Sequence, residues 1–178
     1  KNNLKVAENL YKEILKTNPN HVGAHNNLGA ILLQSGEPQK AKSFYEKVIE
    51  INPNYASAHN NLGIVFGELR QPQKAMSHFK KAIEILPNYA NAHYNLGNVL
   101  HELGKHQKAI SCYEKAIQIQ PNYANAHYNL GLLFKKLGEF QKAVSCYKKA
   151  VQINPNFAGA HNNLGNVLHE LGEFQKAI

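Results

Sequence analysis

An eleven-residue segment occurs twice in the chain without a change. Residues 87–97, Pro-Asn-Tyr-Ala-Asn-Ala-His-Tyr-Asn-Leu-Gly, return as residues 121–131, which is 34 positions later. The same interval separates five prolines and five leucines: Pro19, Pro53, Pro87, Pro121 and Pro155, and Leu28, Leu62, Leu96, Leu130 and Leu164. A fixed period of this length is typical of a helical repeat array, in which one helix pair recurs and buries its apolar face against its neighbours.

The period divides the chain into repeats. We place four full repeats at residues 22–55, 56–89, 90–123 and 124–157. Residues 1–21 match the second half of a repeat, and residues 158–178 supply a first helix and the opening of a second. We therefore expect residues 1–178 to form a single array that begins and ends within a repeat.

Each repeat is predicted to contain two helices. In the first helix, Ala24, Leu28 and Leu32 are four residues apart and form a buried stripe. Gly36 is expected to end this helix with a positive φ, and Pro38 to begin the second. The second repeat has Arg70 where the others have this glycine, so we predict a positive φ at Arg70.

The second helix also has a clear inner side. Its inner side is predicted to carry Ala41, Tyr45, Val48, Ile49 and Ile51, with the small Ala41 allowing the two helices to approach closely. Pro53 ends this helix. Asn54 is predicted to cap the helix that follows, because its side-chain oxygen can accept a hydrogen bond from an unpaired backbone amide.

These positions resemble the tetratricopeptide repeat over essentially the whole chain. The matching columns are Leu28–Gly29 and its four later copies, the alanines Ala41, Ala75, Ala109, Ala143 and Ala177, the aromatic residues Tyr45, Phe79, Tyr113 and Tyr147, and the periodic prolines. The family's usual tryptophan, three places before the leucine, is His25 and its equivalents here. The resemblance implies an all-α fold, a right-handed α–α superhelix of antiparallel helix pairs, and a role as a protein–protein interaction scaffold.

Asparagine fills one column of the first helices. If Leu28 points inward, the preceding residue lies on the outer sector of its helix. This asparagine column contains Asn27, Asn61, Asn95, Asn129 and Asn163; a second column contains Asn26, Asn60, Tyr94, Tyr128 and Asn162, and Asn98 and Asn166 add further amides. A carboxamide both donates and accepts, so it can pair with a peptide group whatever the side chain. We therefore predict exposed asparagines that hold an extended peptide in a concave groove.

Two alternatives to this peptide site remain open. Asparagine can instead solvate the helix or bond the neighbouring repeat. The column is also similar to the asparagine ladder in the repeat domain of O-linked N-acetylglucosamine transferases, which implies a substrate-recognition region of a larger glycosyltransferase-like enzyme. A receptor for chaperone tails, which in this family uses paired lysine and asparagine on first helices, is disfavoured because first-helix lysines are limited to Lys135 and Lys136.

Two other periodic columns are assigned structural roles. The histidines His25, His59, His93, His127 and His161 recur once per repeat, about 10 Å apart, which is too far to share a metal ion, so we expect packing with a hydrogen bond. Lysines form two rows on the second helices: Lys40, Lys74, Lys108, Lys142 and Lys176, and Lys47, Lys81, Lys115 and Lys149. They provide much of the net charge of +8, and we interpret them as a solvated face without specific nucleic-acid binding.

Composition excludes several classes of protein. No apolar run approaches the roughly 20 residues of a membrane span, so membrane insertion is not expected. The chain has no aspartate, no phosphate-binding glycine loop and no nucleophile motif, and we predict a non-enzymatic chain without cofactor or metal. Cys112 and Cys146 are one repeat apart, too far for a disulfide, which favours free thiols and a reducing, cytoplasmic compartment.

The two ends of the chain are complementary in kind. Residues 1–21 supply a second helix, with Leu10, Tyr11 and Ile14 at or near its uncovered side, and residues 158–178 supply a first helix. Repeat units leave an apolar face uncovered unless a cap follows. We therefore predict head-to-tail self-association between copies of the chain.

Overall fold

The computed structural model describes residues 2–172, and the described chain consists of helices joined by short turns. The predictions for Lys176 and Ala177 lie outside the described residues. The helices are α1 (Asn2–Thr17), α2 (Val22–Gln34), α3 (Pro38–Ile51), α4 (Ala56–Glu68), α5 (Pro72–Ile85), α6 (Ala90–Glu102), α7 (His106–Ile119), α8 (Ala124–Lys136), α9 (Phe140–Ile153) and α10 (Ala158–Glu170). The predicted fold class, an all-α array of the α–α superhelix type, is confirmed.

The helices belong to two compact units, residues 1–95 and residues 96–178. In unit 1, α1 packs on α2, α2 on α3, α3 on α4 and α4 on α5. In unit 2, α7 packs on α8, α8 on α9 and α9 on α10. Pairs of adjacent helices such as α2 and α3 lie within one predicted repeat, while the repeat boundaries themselves stay a prediction.

The same aromatic contact joins the two helices of each pair. The rings of Tyr45 and Phe79 in unit 1, and of Tyr113 and Tyr147 in unit 2, are buried and lie against glycine on the first helix. A Cβ on Gly29 would lie 2.7 Å from the Tyr45 ring, and one on Gly63 would lie 2.5 Å from the Phe79 ring. The glycine of the Leu-Gly pair is therefore required because the ring occupies the space of its missing side chain.

First helices end in a Schellman turn. After α2, the Gly36 amide donates to the Leu33 carbonyl and the Glu37 amide to the Leu32 carbonyl, at 3.0 and 2.9 Å. Gly36, Gly104, Gly138 and Gly172 have φ between 71° and 76°, and Arg70 has φ 57°. The prediction for Arg70 is confirmed: the turn keeps its geometry although its residue carries a side chain.

The N-cap prediction for Asn54 is wrong. Helix α4 begins at Ala56, so its N-cap is Tyr55, whose side chain makes no capping bond. The Asn54 amide instead donates to Oδ1 of Asn52 at 3.1 Å. Asparagine side chains favour such local turns as well as caps, and here the accepting side chain is that of Asn52, two residues before Asn54.

Candidate peptide-binding site

Five asparagines of unit 1 form one continuous network of hydrogen bonds. Nδ2 of Asn95 donates to Asn60 at 3.0 Å, and Nδ2 of Asn60 donates to Asn61 at 3.4 Å. Asn61 donates to Asn26 at 3.3 Å, and Asn26 to Asn27 at 3.5 Å. We call these five residues the amide network.

The amide network ends on a tyrosine and runs in one direction. Nδ2 of Asn27 donates to the Tyr11 hydroxyl at 2.9 Å, which anchors α2 to α1. Asn95, Asn61 and Asn27 each donate to a side chain of an earlier helix pair, whereas Asn60 and Asn26 each donate to the residue that follows them on the same helix. Aligned hydrogen bonds polarise one another, so the network stiffens the face on which it lies.

In unit 2 the corresponding amides also connect neighbouring helices. Asn163 donates to the Tyr128 hydroxyl at 3.0 Å, and Asn129 donates to Oδ1 of Asn98 at 2.9 Å. The same Asn98 oxygen accepts from the Tyr113 hydroxyl at 2.8 Å. The pattern predicted from the sequence therefore brings together residues of the first column, the second column and the additional amides.

These bonds bury the asparagine column more deeply than predicted. Asn27, Asn61, Asn95, Asn129 and Asn163 are half-buried, and so are Asn26, Tyr94, Asn98 and Tyr128. Asn60 is only 4% exposed, whereas Asn162 and Asn166 are exposed. The expectation of a fully exposed column is wrong, because each amide reaches back to the preceding helix pair.

The network leaves part of each carboxamide available. An asparagine carries two N–H donors and an oxygen with two lone pairs. Within the amide network each residue uses one donor, and Oδ1 of Asn95 receives no bond from the described residues. Except at Asn60, which is only 4% exposed, an asparagine of the amide network can therefore hold the neighbouring repeat and still offer one donor and one acceptor to a ligand.

Comparisons with known proteins cover most of the chain. Models described as tetratricopeptide repeat match residues 23–88, 124–157 and 146–178, and one described as TPR repeat matches residues 73–104 and 97–138. Together these matches extend from residue 23 to residue 178. The chain belongs to the tetratricopeptide repeat family. Arrays of this family are typically non-catalytic scaffolds for protein interaction.

Solved tetratricopeptide structures are similar over most of the chain. MamA is 29% identical over 84% of this chain and 88% of its own, with a TM-score of 0.75. PilF of Pseudomonas aeruginosa is 26% identical over 88% of this chain and 71% of its own, with a TM-score of 0.83. YrrB, described as a TPR protein with an unusual peptide-binding site, is 23% identical over 94% and 87% with a TM-score of 0.73, which supports the fold alone. No curated protein matched the sequence.

Histidine replaces the family's tryptophan in every repeat, and its role is structural. Nε2 of His25, His59, His93, His127 and His161 hydrogen-bonds to the carbonyl of the proline six residues earlier, at 2.7 to 3.1 Å. The bond ties the start of each first helix to the turn before it. The predicted packing with a hydrogen bond is confirmed. Among the described residues, no three histidine, cysteine or glutamate side chains are grouped as metal ligands.

The lysine rows of the tetratricopeptide array are largely paired with glutamate in unit 1. Lys47 binds Glu50 at 2.7 Å and Lys81 binds Glu84 at 2.8 Å. Exposed pairs of this kind contribute at most about 1 kcal/mol each, which agrees with a solvated face.

Neither Cys112 nor Cys146 forms a disulfide. In the described part of the chain, no helix has both the length and the apolar character needed to cross a membrane.

Proposed function

We propose that the array binds an extended peptide segment of a partner protein along the face that carries the asparagine column. The observation that supports this proposal is the amide network, which holds each carboxamide in place and, except at Asn60, leaves it one donor and one acceptor. Ordered amides lose little further side-chain entropy when a ligand binds. In unit 1 the proposed binding residues are the five asparagines of the amide network and Tyr94. In unit 2 they are Asn98, Asn129, Asn163 and Asn166, with Tyr128 and Asn162 beside them.

The proposed partner segment is recognised mainly by its backbone. Neighbouring helices are about 8 to 10 Å apart, and an extended chain rises about 3.3 Å per residue. One peptide group in every three therefore meets an asparagine. Because carboxamides pair with backbone groups, the site is tolerant of side-chain identity.

Binding of a selected peptide by two variants tests this proposal. Unstructured dodecapeptides selected from a random library against the whole chain serve as the probe, and calorimetry measures their affinity. Asn61→Ala with Asn95→Ala should weaken binding by about 1 to 3 kcal/mol through lost hydrogen bonds.

Tyr11→Phe is the matched control for this experiment. It breaks the bond from Asn27 at the end of the amide network but retains every carboxamide. It should therefore lower stability and leave peptide affinity nearly unchanged. Equal losses in Tyr11→Phe and in the asparagine variant would contradict the proposal, as would unaltered affinity in both.

Three further parts of the functional hypothesis stay predictions. A role as the substrate-recognition region of a larger glycosyltransferase-like enzyme, and a cytoplasmic location, are compatible with the same peptide site. Head-to-tail self-association would place residues 1–21 of one copy near residues 158–178 of the next, of which 173–178 lie outside the described residues. On α1, Val6 and Leu10 are 59% and 61% exposed. Light scattering at rising protein concentration tests this contact, and a constant monomer mass would contradict it.

A further inference from the structure

A cavity of about 630 Å³ lies among α7, α8 and α9 in unit 2, on residues outside the asparagine column. Helix α8 contributes His127 and Leu130, which are half-buried and buried. Helix α9 contributes Cys146, Lys148 and Lys149, of which the two lysines are exposed. The cavity therefore has an inner part formed by α8 and Cys146, and a rim formed by charged and polar side chains.

The same repeat positions line a smaller cavity in unit 1. Its volume is about 360 Å³, and each of its six lining residues lies 68 positions, or two repeats, before a lining residue of the larger cavity. His59 corresponds to His127, and His78 corresponds to Cys146. A cavity that recurs at the same positions is a property of the repeat, and the side chains at those positions determine its size.

His78 occupies part of the corresponding space in unit 1, where the cavity is the smaller of the two. Its ring stacks on His59 and Phe66, with centroid distances of 5.5 and 5.2 Å. Its Nδ1 also hydrogen-bonds to Nδ1 of His59 at 3.2 Å. Cys146 is much smaller than histidine, so the corresponding space in unit 2 stays open.

The inner part of the larger cavity is uncharged. Leu130 is 6% exposed, and half-buried Ile117 from α7 adds apolar surface. Burial, reinforced by Glu114, raises the pKa of the Cys146 thiol to about 11, and burial lowers the pKa of His127. Both groups are therefore neutral at pH 7, and the inner surface suits an apolar side chain.

The rim of this cavity lacks a negative charge that is present at the same repeat position in unit 1. In unit 1, Lys81 is paired with Glu84; in unit 2, Gln152 replaces that glutamate and accepts from Nζ of Lys149 at 3.0 Å. Neither Lys148 nor Lys149 is paired with a carboxylate among the described residues. Glu114 is the one acidic residue in the lining, so the rim carries an excess of positive charge.

We propose that this cavity is a second peptide-binding site, which takes an aromatic or branched aliphatic side chain from an acidic segment of a partner protein. The volume accommodates one large side chain together with a neighbour, and the lysines attract the carboxylates on either side. Because its rim residues are exposed, the cavity is open on one side. It can receive a side chain from a passing polypeptide but cannot enclose a long acyl chain, since small-molecule sites bury most of their ligand.

Backbone amide NMR on the whole chain tests this second site. The probe is the blocked peptide Glu-Glu-Glu-Leu-Phe-Glu-Glu-Glu, and two control peptides replace Leu-Phe by Ala-Ala or every Glu by Lys. The probe should shift resonances between Glu114 and Gln118 and around Leu130 and Cys146, and neither control should do so. Failure of the probe to shift these resonances, or equal shifts with the lysine peptide, would overturn the proposal.

Three variants locate the bound peptide. Cys146→Phe, which introduces the residue found at Phe44 of the first repeat, should weaken binding by at least about tenfold by filling the cavity. Gln152→Glu, which restores the charge of Glu84, should weaken it by about threefold. Gln141→Glu is the matched control, because it makes the same charge change at an exposed residue of α9 outside the cavity lining, and it should bind as the unaltered chain does.

The outcomes separate this site from the asparagine site. Loss of binding in the variant that combines Asn61→Ala with Asn95→Ala, together with full binding in Gln152→Glu, would overturn the cavity proposal and leave the asparagine proposal in place. Circular dichroism checks that Cys146→Phe folds. If it does not, Gln152→Glu and the control peptides decide, and undiminished binding in Gln152→Glu counts against the proposal.

Discussion

Replacing Tyr45 by phenylalanine should stabilise the protein, although the tyrosine is completely buried. The Tyr45 hydroxyl has no hydrogen-bond partner among the described residues, and burial raises the pKa of Tyr45 to about 12. In unit 2, by contrast, the Tyr113 hydroxyl donates to Oδ1 of Asn98 at 2.8 Å. The repeat position of Asn98 is occupied by Ala30 beside Tyr45, so the acceptor is missing there.

The expected effects at these two tyrosines have opposite signs. A buried polar group without a partner costs about 1 to 3 kcal/mol, and Tyr45→Phe removes that cost while retaining the ring that packs on Gly29. We expect a gain of about 1 kcal/mol in the free energy of unfolding, since the smaller end of that range applies where the structure relaxes. Tyr113→Phe removes a formed hydrogen bond and should cost about 1 kcal/mol.

Urea unfolding followed by circular dichroism measures both effects. A shift of the midpoint without a change of slope indicates a change of stability alone. Ala30→Asn provides a rescue, because it introduces the acceptor that Asn98 supplies to Tyr113. In that background Tyr45→Phe should no longer stabilise. Destabilisation by both phenylalanine substitutions, or the same gain from both, would refute the reasoning.

Two further predictions concern the turn after α4 and the histidine pair of unit 1. Arg70→Gly should stabilise the protein by about 0.5 to 1 kcal/mol because Arg70 has φ 57°, and Gly138→Arg should destabilise it by a similar amount. A lower urea concentration at the unfolding midpoint of Arg70→Gly would contradict this prediction. Burial and the charge of His59 lower the pKa of His78 in the folded protein. The contribution of neutral His78 to the free energy of unfolding is therefore fully present above about pH 6.5, the usual pKa of histidine, and is lost as the pH falls through the lowered pKa. His78→Phe should flatten this loss in melting temperatures measured between about pH 7 and pH 5, and an unchanged pH profile would count against it.

Periodicity predicted the parts of the fold that repeat locally. Leu28 and Tyr45 are buried as expected, because a 3.6-residue stripe identifies the inner face of a helix without further information. The positive φ at Arg70 was predictable because the same turn is made by glycine in other repeats. These predictions succeed since each depends on neighbours within one helix pair.

The exposure of the asparagine side chains depends on contacts between repeats, and the sequence pattern of a single helix does not reveal those contacts. The sequence placed Asn61 and Asn95 on the outer sector of their helices, but whether such a side chain meets solvent or the preceding helix pair is determined by how the pairs pack. The bond from Asn95 to Asn60 spans 35 residues, whereas the missing acceptor of Tyr45 concerns a contact between the two helices of one repeat, which spans 15 residues in the equivalent pair of Asn98 and Tyr113. Comparison of Ala30 with Asn98 at one repeat position was the available signal.

The most direct test of the peptide-binding claim is a scan of backbone methylation. A dodecapeptide selected against the whole chain is synthesised in three forms, each with N-methyl groups at every third residue in a different register, and the affinity of each form is measured by calorimetry. If asparagines bind one peptide group in three, one register should lose at least about tenfold in affinity, while the other two bind nearly as the parent does. Equal affinity in all three registers, together with strong dependence on side-chain truncation, would contradict the account.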